Sequence, residues 1–189
     1  MIHQPALTGL SAIAANYDVL LCDIWGVLHN GLQRYPTAVD ALTHYRRQGG
    51  KVALVTNAPR PRGPIIQMLD RLQVIREAYD AIVSSGDVTR ALIRSHEGGT
   101  IHNVGPAHDL SLYGGINVRR GDASDASAVV VTDLDDRLHE KLSDYDERLN
   151  FWLSRDLPLI CANPDKVVEI GDQMIVCGGA LAERYQNIG

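Results

Sequence analysis

Three apolar runs in the first half of the chain end in side chains that can act on a ligand. Val19-Leu20-Leu21-Cys22 runs into Asp23, Val52-Ala53-Leu54-Val55 into Thr56-Asn57, and Ala81-Ile82-Val83 into Ser84-Ser85. A continuous apolar run reads as a strand buried between two layers, and its carboxyl end is where open α/β sheets bind ligands. A carboxylate at such a tip attacks an electrophile or holds Mg2+. A threonine hydroxyl with turn amides suits a phosphate oxygen. Any one of these residues alone is equally well a turn cap. All three, on successive strand tips, point to one crevice.

The elements that must position them alternate. Pro36-Thr37 opens a helix carrying Val39, Ala41, Leu42 and Tyr45, closed by Gly49-Gly50. Pro64 suits the first turn of a second helix, with Ile65, Ile66, Met68, Leu69 and Leu72 on its apolar face. Asp87 suits the N-cap of a third, which carries Val88, Ala91 and Leu92. Strand, helix, strand, helix, strand is the pattern of a doubly wound parallel sheet. After Glu97-Gly98-Gly99 a second set begins, with strands at 101–104, 128–131, 159–162 and 173–176. Its helices are expected at 107–113, 137–154 and 180–185. Two α/β units on one chain, divided into 1–94 and 95–189, is the expected organisation.

Composition narrows the function. Of 189 residues 45% are hydrophobic and 22% charged, a globular balance. The formal charge of -5 provides no general attraction to nucleic acid or anionic lipid. No apolar run approaches the roughly 20 residues of a spanning helix, and the N-terminus lacks the pattern of a secretory signal. Cys22, Cys161 and Cys177 form no CxxC pair, so a reducing cytoplasm is expected. No GxGxxG follows the first strand, which argues against a dinucleotide oxidoreductase.

The segments LLCDIWGVLHNG, VALVTNAPRP, SSGDVTRAL, CANPDKVVE and CGGALAERY, in that order, resemble the haloacid dehalogenase-like hydrolase superfamily, class IIA. The resemblance covers nearly the whole chain. It implies a Rossmann-like core, partial here, carrying an inserted α/β cap, and a Mg2+-dependent phosphatase of a small phosphorylated metabolite. Asp23 would be the nucleophile that forms an aspartyl-phosphate and also a metal ligand. Trp25 would lend the metal its backbone carbonyl, and Thr56 would bind the phosphoryl group with Asn57 beside it. The cap loop 163–168, with Asn163, Asp165 and Lys166, would choose the substrate.

Two departures bear on this. The family's first motif carries a second Asp where this chain has Trp25, and an indole is a donor too weakly acidic to move a proton. Losing a general acid–base removes roughly two to four powers of ten in rate. His29 is the nearest ionisable substitute, although it reads first as a solvated loop residue. A non-catalytic phospho-ligand binding module is therefore the rival reading. Secondly, the family's Gly-Lys-Pro and Gly-Asp-Ser/Asn segments are not found; the GD pairs Gly86-Asp87, Gly121-Asp122 and Gly171-Asp172 do not follow apolar strands as required. The chain thus reads as a C-terminally truncated form, inactive by itself. The strand ending at Asp23 would then have an open edge, leading either to a homodimer or to a poorly ordered core beside an ordered cap.

Other residues invite simpler readings. Arg60 and Arg62 either steer an anion or belong to a solvated loop. Cys161 and Cys177 read as buried fillers, Asp122 and Asp125 as loop residues. Asp133, Asp135 and Asp136 read as a helix start.

Overall fold

The computed structural model describes residues 9–170 and 173–189. The Gly171-Asp172 pair and the first eight residues of the N-terminal stretch lie outside the described residues. The chain divides into two compact units, one of residues 1–56 and 65–83, the other of 57–64 and 84–189. No helix among the described residues is long and apolar enough to cross a membrane.

In the first unit, β1 (Val19–Asp23) pairs in parallel with β2 (Lys51–Thr56), and β3 (Ala81–Ser84) follows β2 in the sheet. The helices α1 (Pro36–Arg47) and α2 (Arg62–Arg71) begin with or near the prolines that suit a first turn. Val52, Leu54 and Thr56 alternate onto the buried face of β2, while Val39, Leu42, Tyr45, Ile65 and Leu69 are buried on the helices. An ion-pair knot closes this layer. Asp80 accepts Arg46 Nη2 and Nε at 2.7 and 2.9 Å and the Val52 amide at 2.8 Å.

The Arg46 hydrogen bond, then the Val52 amide, pull the Asp80 carboxyl down to about 2. A folded-state value below the unfolded one near 4 contributes stability above that higher value and loses it as the pH falls toward 2. Asp80→Asn is accordingly expected to lower stability at pH 7 and to flatten the acid limb between pH 4 and 2. Urea titrations across that range check it. An unchanged acid limb would show that the knot does not contribute.

β1 departs from the sequence expectation of burial on two faces. It is the edge strand, hydrogen-bonded to β2 alone among the described residues, and its residues alternate exposed and half-buried. Leu21 is 75% exposed, and Val19, Val55 and Val83 share that uncovered face. Apolarity alone cannot tell a strand covered twice from one covered once.

The second unit holds a parallel sheet in the order β5-β4-β6-β7, made of β4 (Thr100–Val104), β5 (Arg119–Arg120), β6 (Ala128–Val131) and β7 (Leu159–Cys161). Here β6 is the strand buried on both faces. Val129 and Val131 face a cluster with Leu149, Trp152, Leu181 and Tyr145. Val130 faces another, with Ile93, Ile101, Leu112 and Ala162. Ile93 comes from α3 (Ser85–Arg94), so that helix packs into this unit. An antiparallel hairpin of β8 (Val167–Ile170) and β9 (Gln173–Val176) leads to α5 (Gly178–Ile188).

Several expected boundaries are corrected. The helix expected at 137–154 begins with a 3-10 turn at Leu142–Tyr145, and α4 itself is Asp146–Ser154. The aspartates before it start no helix: Asp133 is buried, with Oδ1 on the Leu134 amide and Oδ2 on Arg137. The segment 107–113 is a 3-10 helix. Val167 and Val168, read as loop, belong to β8.

Candidate active site

Asp23 ends β1 in register with Val55, so Thr56 follows immediately on the neighbouring strand. Thr56 is buried. The Asp23 carboxylate is exposed; its Oδ1 accepts the Ile24 amide at 2.7 Å, and Oδ2 meets no hydrogen-bond donor among the described residues. A carboxylate oriented through one oxygen and open at the other is poised to attack an electrophile or bind a cation.

The loop after β1 is built around Trp25. The Leu28 amide donates to the Ile24 carbonyl at 2.9 Å, the Gly26 amide to the His29 carbonyl at 2.8 Å, and the Tyr35 amide to the Leu28 carbonyl at 2.8 Å. The Asn30 carboxamide oxygen turns the far end, accepting the Leu32 and Gln33 amides. Gly31 sits at φ +90°, and a Cβ there would meet the Trp25 ring at 2.6 Å, so two constraints require glycine. Trp25 is 37% exposed, and its ring meets that of His29 edge-on at 5.3 Å.

His29 corrects the solvated-loop reading: it is fully buried. Nδ1 accepts the Gly31 amide at 2.9 Å, which puts the proton on Nε2, and Nε2 has no partner among the described residues. Burial holds the imidazole below its ordinary range, with the charge of Asp23 opposing. A neutral, enclosed histidine of this kind supports Trp25; it is badly placed to exchange protons with substrate. Nothing in the sequence marks it as buried, because its neighbours Leu28 and Asn30 fit either state.

The other expected residues lie in the second unit. Ser84 is the N-cap of α3, its hydroxyl accepting the Asp87 amide at 3.0 Å, so the cap falls three residues before the expected Asp87. Asn57 donates to Asp165 Oδ1 at 2.7 Å, which joins two residues singled out for different reasons. Asp165 is steadied by its own amide on Asn163 Oδ1 at 3.2 Å. Lys166 is drawn to Glu183 of α5 at 2.5 Å. Gly179 is tight for a reason: a Cβ there would meet the Pro164 carbonyl oxygen at 2.2 Å, so only glycine lets α5 start against this loop. Cys161 and Cys177 form no disulfide, and burial raises both thiols, Cys177 to about 11, consistent with fillers.

A divalent cation is testable against the donors present. Among the described residues no three His, Cys, Asp or Glu side chains converge. The first unit offers two hard oxygens, Asp23 Oδ2 and the Trp25 carbonyl, neither engaged by a described donor. That suits Mg2+, which binds through one or two protein oxygens and fills its remaining positions with water and phosphate.

A carboxylate and a threonine at adjacent tips of a parallel sheet, with a second α/β unit, define an α/β protein with a candidate ligand site at its strand tips, and comparison narrows it. The profile of the haloacid dehalogenase-like hydrolases matches residues 20–119. A haloacid dehalogenase-like hydrolase from Brucella suis is 42% identical, with a TM-score of 0.90 over 95% of this chain and 69% of its own. A possible sugar phosphatase from Cytophaga hutchinsonii shares the fold at 21% identity and a TM-score of 0.78, over 97% of this chain and 68% of that one. A glycerol phosphate phosphatase from Mycobacterium tuberculosis, in complex with magnesium, matches at 22% identity and a TM-score of 0.68, over 93% of this chain and 53% of that one. No curated protein matches the chain. The chain belongs to the haloacid dehalogenase-like hydrolases.

Proposed function

We propose that the protein is a Mg2+-dependent phosphatase of a small phosphorylated metabolite, working through an aspartyl-phosphate on Asp23. The observation that carries this reading is the placement of Asp23, fixed through Oδ1 and open at Oδ2, beside the strand that ends in Thr56. Asp23 attacks phosphorus and the ester P–O bond breaks, the leaving alkoxide taking its proton from solvent; water then attacks the acyl phosphate, releasing inorganic phosphate and freeing the Asp23 carboxylate. Thr56 binds a phosphoryl oxygen, with Asn57 beside it. Asp23 and the Trp25 carbonyl would hold the metal, whose contribution is to neutralise charge on the phosphoryl oxygens. In this reading residues 1–94 serve as core and 95–189 as cap, and Asn163, Asp165 and Lys166 face the substrate. The magnesium-bound M. tuberculosis phosphatase supports the metal as a fold neighbour.

One observation favours the non-catalytic alternative. Trp25, packed on His29 and Gly31, supplies no proton where the family has an acid. The 189 residues are also expected to turn over little, because the family's Gly-Lys-Pro and Gly-Asp segments are not among them. Trapping separates the readings better than turnover does. Beryllofluoride titrated in the presence of Mg2+ should be captured with a stoichiometry of one by an aspartyl-phosphate former, and ignored by a mere phosphate binder.

The open edge of β1 supports a homodimer as a second element of the proposal. Among the described residues β1 pairs on one side alone, and an edge strand beside an exposed Leu21 invites a partner strand. Leu21→Lys places a charge on that edge and is expected to shift the chain to monomer. Sedimentation velocity reads the change. A wild-type chain that is already monomeric at high concentration removes the dimer.

A further inference from the structure

The peptide group that joins Trp25 to Gly26 is fixed from one side. Its N–H donates to the His29 carbonyl at 2.8 Å. No peptide bond among the described residues is cis, so the Trp25 carbonyl of this planar group points the opposite way. The preceding peptide turns inward as well, with the Ile24 carbonyl accepting the Leu28 amide at 2.9 Å. Directed away from both bonds, the Trp25 carbonyl meets no described donor.

His29 holds this arrangement at three points. Its carbonyl takes the Gly26 amide, its Nδ1 takes the Gly31 amide at 2.9 Å, and its ring meets the Trp25 ring edge-on at 5.3 Å. Gly31 in turn lies so close to the indole that a Cβ there would stand 2.6 Å from it. Ile24, Leu28 and His29 are all buried, so the loop is seated in the core of the first unit, to which every one of these residues belongs. A side chain that only filled this space would be apolar. The imidazole instead leaves Nε2 buried with no described partner, a cost that a hydrocarbon does not carry. What it adds is the Nδ1 acceptor, which ties Gly31 back onto the loop that carries Trp25.

We propose that His29 is a positioning residue for the cation. By holding the Gly26 amide and, through Gly31, the Trp25 ring, it keeps the Trp25 carbonyl turned outward as an oxygen ligand two residues from Asp23. This rests on the reading of Asp23 and the Trp25 carbonyl as metal oxygens. Mg2+ demands near-ideal octahedral geometry, so an oxygen free to swing is a poor ligand for it. Because the oxygen comes from the backbone, the side chain at position 25 is left for packing, and an indole clamped by His29 and Gly31 stiffens the very peptide that supplies it.

Trp25-Gly26 is the only Trp-Gly pair in the sequence, so 13C at the tryptophan carbonyls and 15N at the glycines give one coupled NMR signal, from this peptide. Mg2+ alone, titrated into the whole chain, is expected to move the Trp25 carbon saturably. His29→Ala should weaken Mg2+ about tenfold to a hundredfold, the usual effect of losing a group behind a metal ligand, and should quicken exchange of the Gly26 amide. His29→Asn places an oxygen near the position of Nδ1 and should recover part of the affinity. Circular dichroism fixes a temperature at which all the chains are folded. A lowered Tm with unchanged Mg2+ affinity in His29→Ala reduces the residue to a structural role and overturns the proposal. Wild type tests it even if His29→Ala fails to fold: a Trp25 carbon unmoved by Mg2+, or a Gly26 amide that exchanges as fast as an unprotected one, overturns it too. Asp23→Asn distinguishes the underlying reading. If the Mg2+ shift survives that change and still depends on His29, Asp23 is not the metal carboxylate and the positioning role stands.

Discussion

Asp23→Asn is expected to abolish beryllofluoride capture and, in any form of the protein that turns over, to lower the rate by at least about four powers of ten. The carboxamide keeps the shape and leaves an oxygen able to accept the Ile24 amide that orients the native carboxylate. It removes the negative charge and the nucleophilic oxygen, and with them the acyl-phosphate route. The surroundings should tolerate the change, because Asp23 is exposed and forms no ion pair with a described residue. Circular dichroism of the variant should therefore match wild type. His29 adds a second reading of the same substitution. Burial lowers its basicity and the Asp23 charge opposes that effect, so losing the charge should move the imidazole further down. A variant that still captures one beryllofluoride would place the nucleophile elsewhere.

The sequence made the strand tips legible and left their surroundings obscure. Val19 to Asp23 and Lys51 to Thr56 announce themselves because a carboxylate or hydroxyl closing an apolar run is a local signal, and strands are local enough to read. Which side chains then meet is decided by tertiary folding. Asn57 and Asp165 are 108 residues apart in the chain, and no periodicity could pair them. His29 is a buried polar group in a stretch that reads as a surface loop, and Asp109 is one in a segment that reads as a short helix, since burial follows from what packs over a residue. The helix expected from 137 failed for a related reason. Its apolar spacing is real, but Asp136 accepts the Leu138 amide and His139 through its side chain, a local turn that competes with helical hydrogen bonding.

Trp152→Ala is expected to destabilise the second unit by about 3–5 kcal/mol, between two and four powers of ten in its folding equilibrium. The indole is 1% exposed and lies in the cluster of Val129, Val131, Tyr145, Leu149 and Leu181. Its ring meets Tyr185 of α5 at 6.2 Å and His102 of β4 at 5.7 Å, with the Arg148 guanidinium 5.5 Å from it. Truncation removes the contacts joining α4, α5 and the sheet at once, and such a site cannot collapse without moving a helix. The loss is large against the 5–15 kcal/mol of an ordinary domain. A fall in Tm of ~6–20 °C should accompany it, with Trp152→Phe recovering part. The effect should also reach the loop that carries Asp165. The start of α5 packs against that loop at Gly179, and a helix loosened at Tyr185 no longer holds its own first turn against the Pro164 carbonyl. Hydrogen exchange should therefore quicken in β6, as in any core defect, and also at the Gly179 amide, which donates to the Asp165 carbonyl at 3.0 Å. A Tm within about 2 °C of wild type would mean that the cluster repacks around the missing ring. Unchanged exchange at Gly179 alongside a lowered Tm would mean that the loop is held without α5.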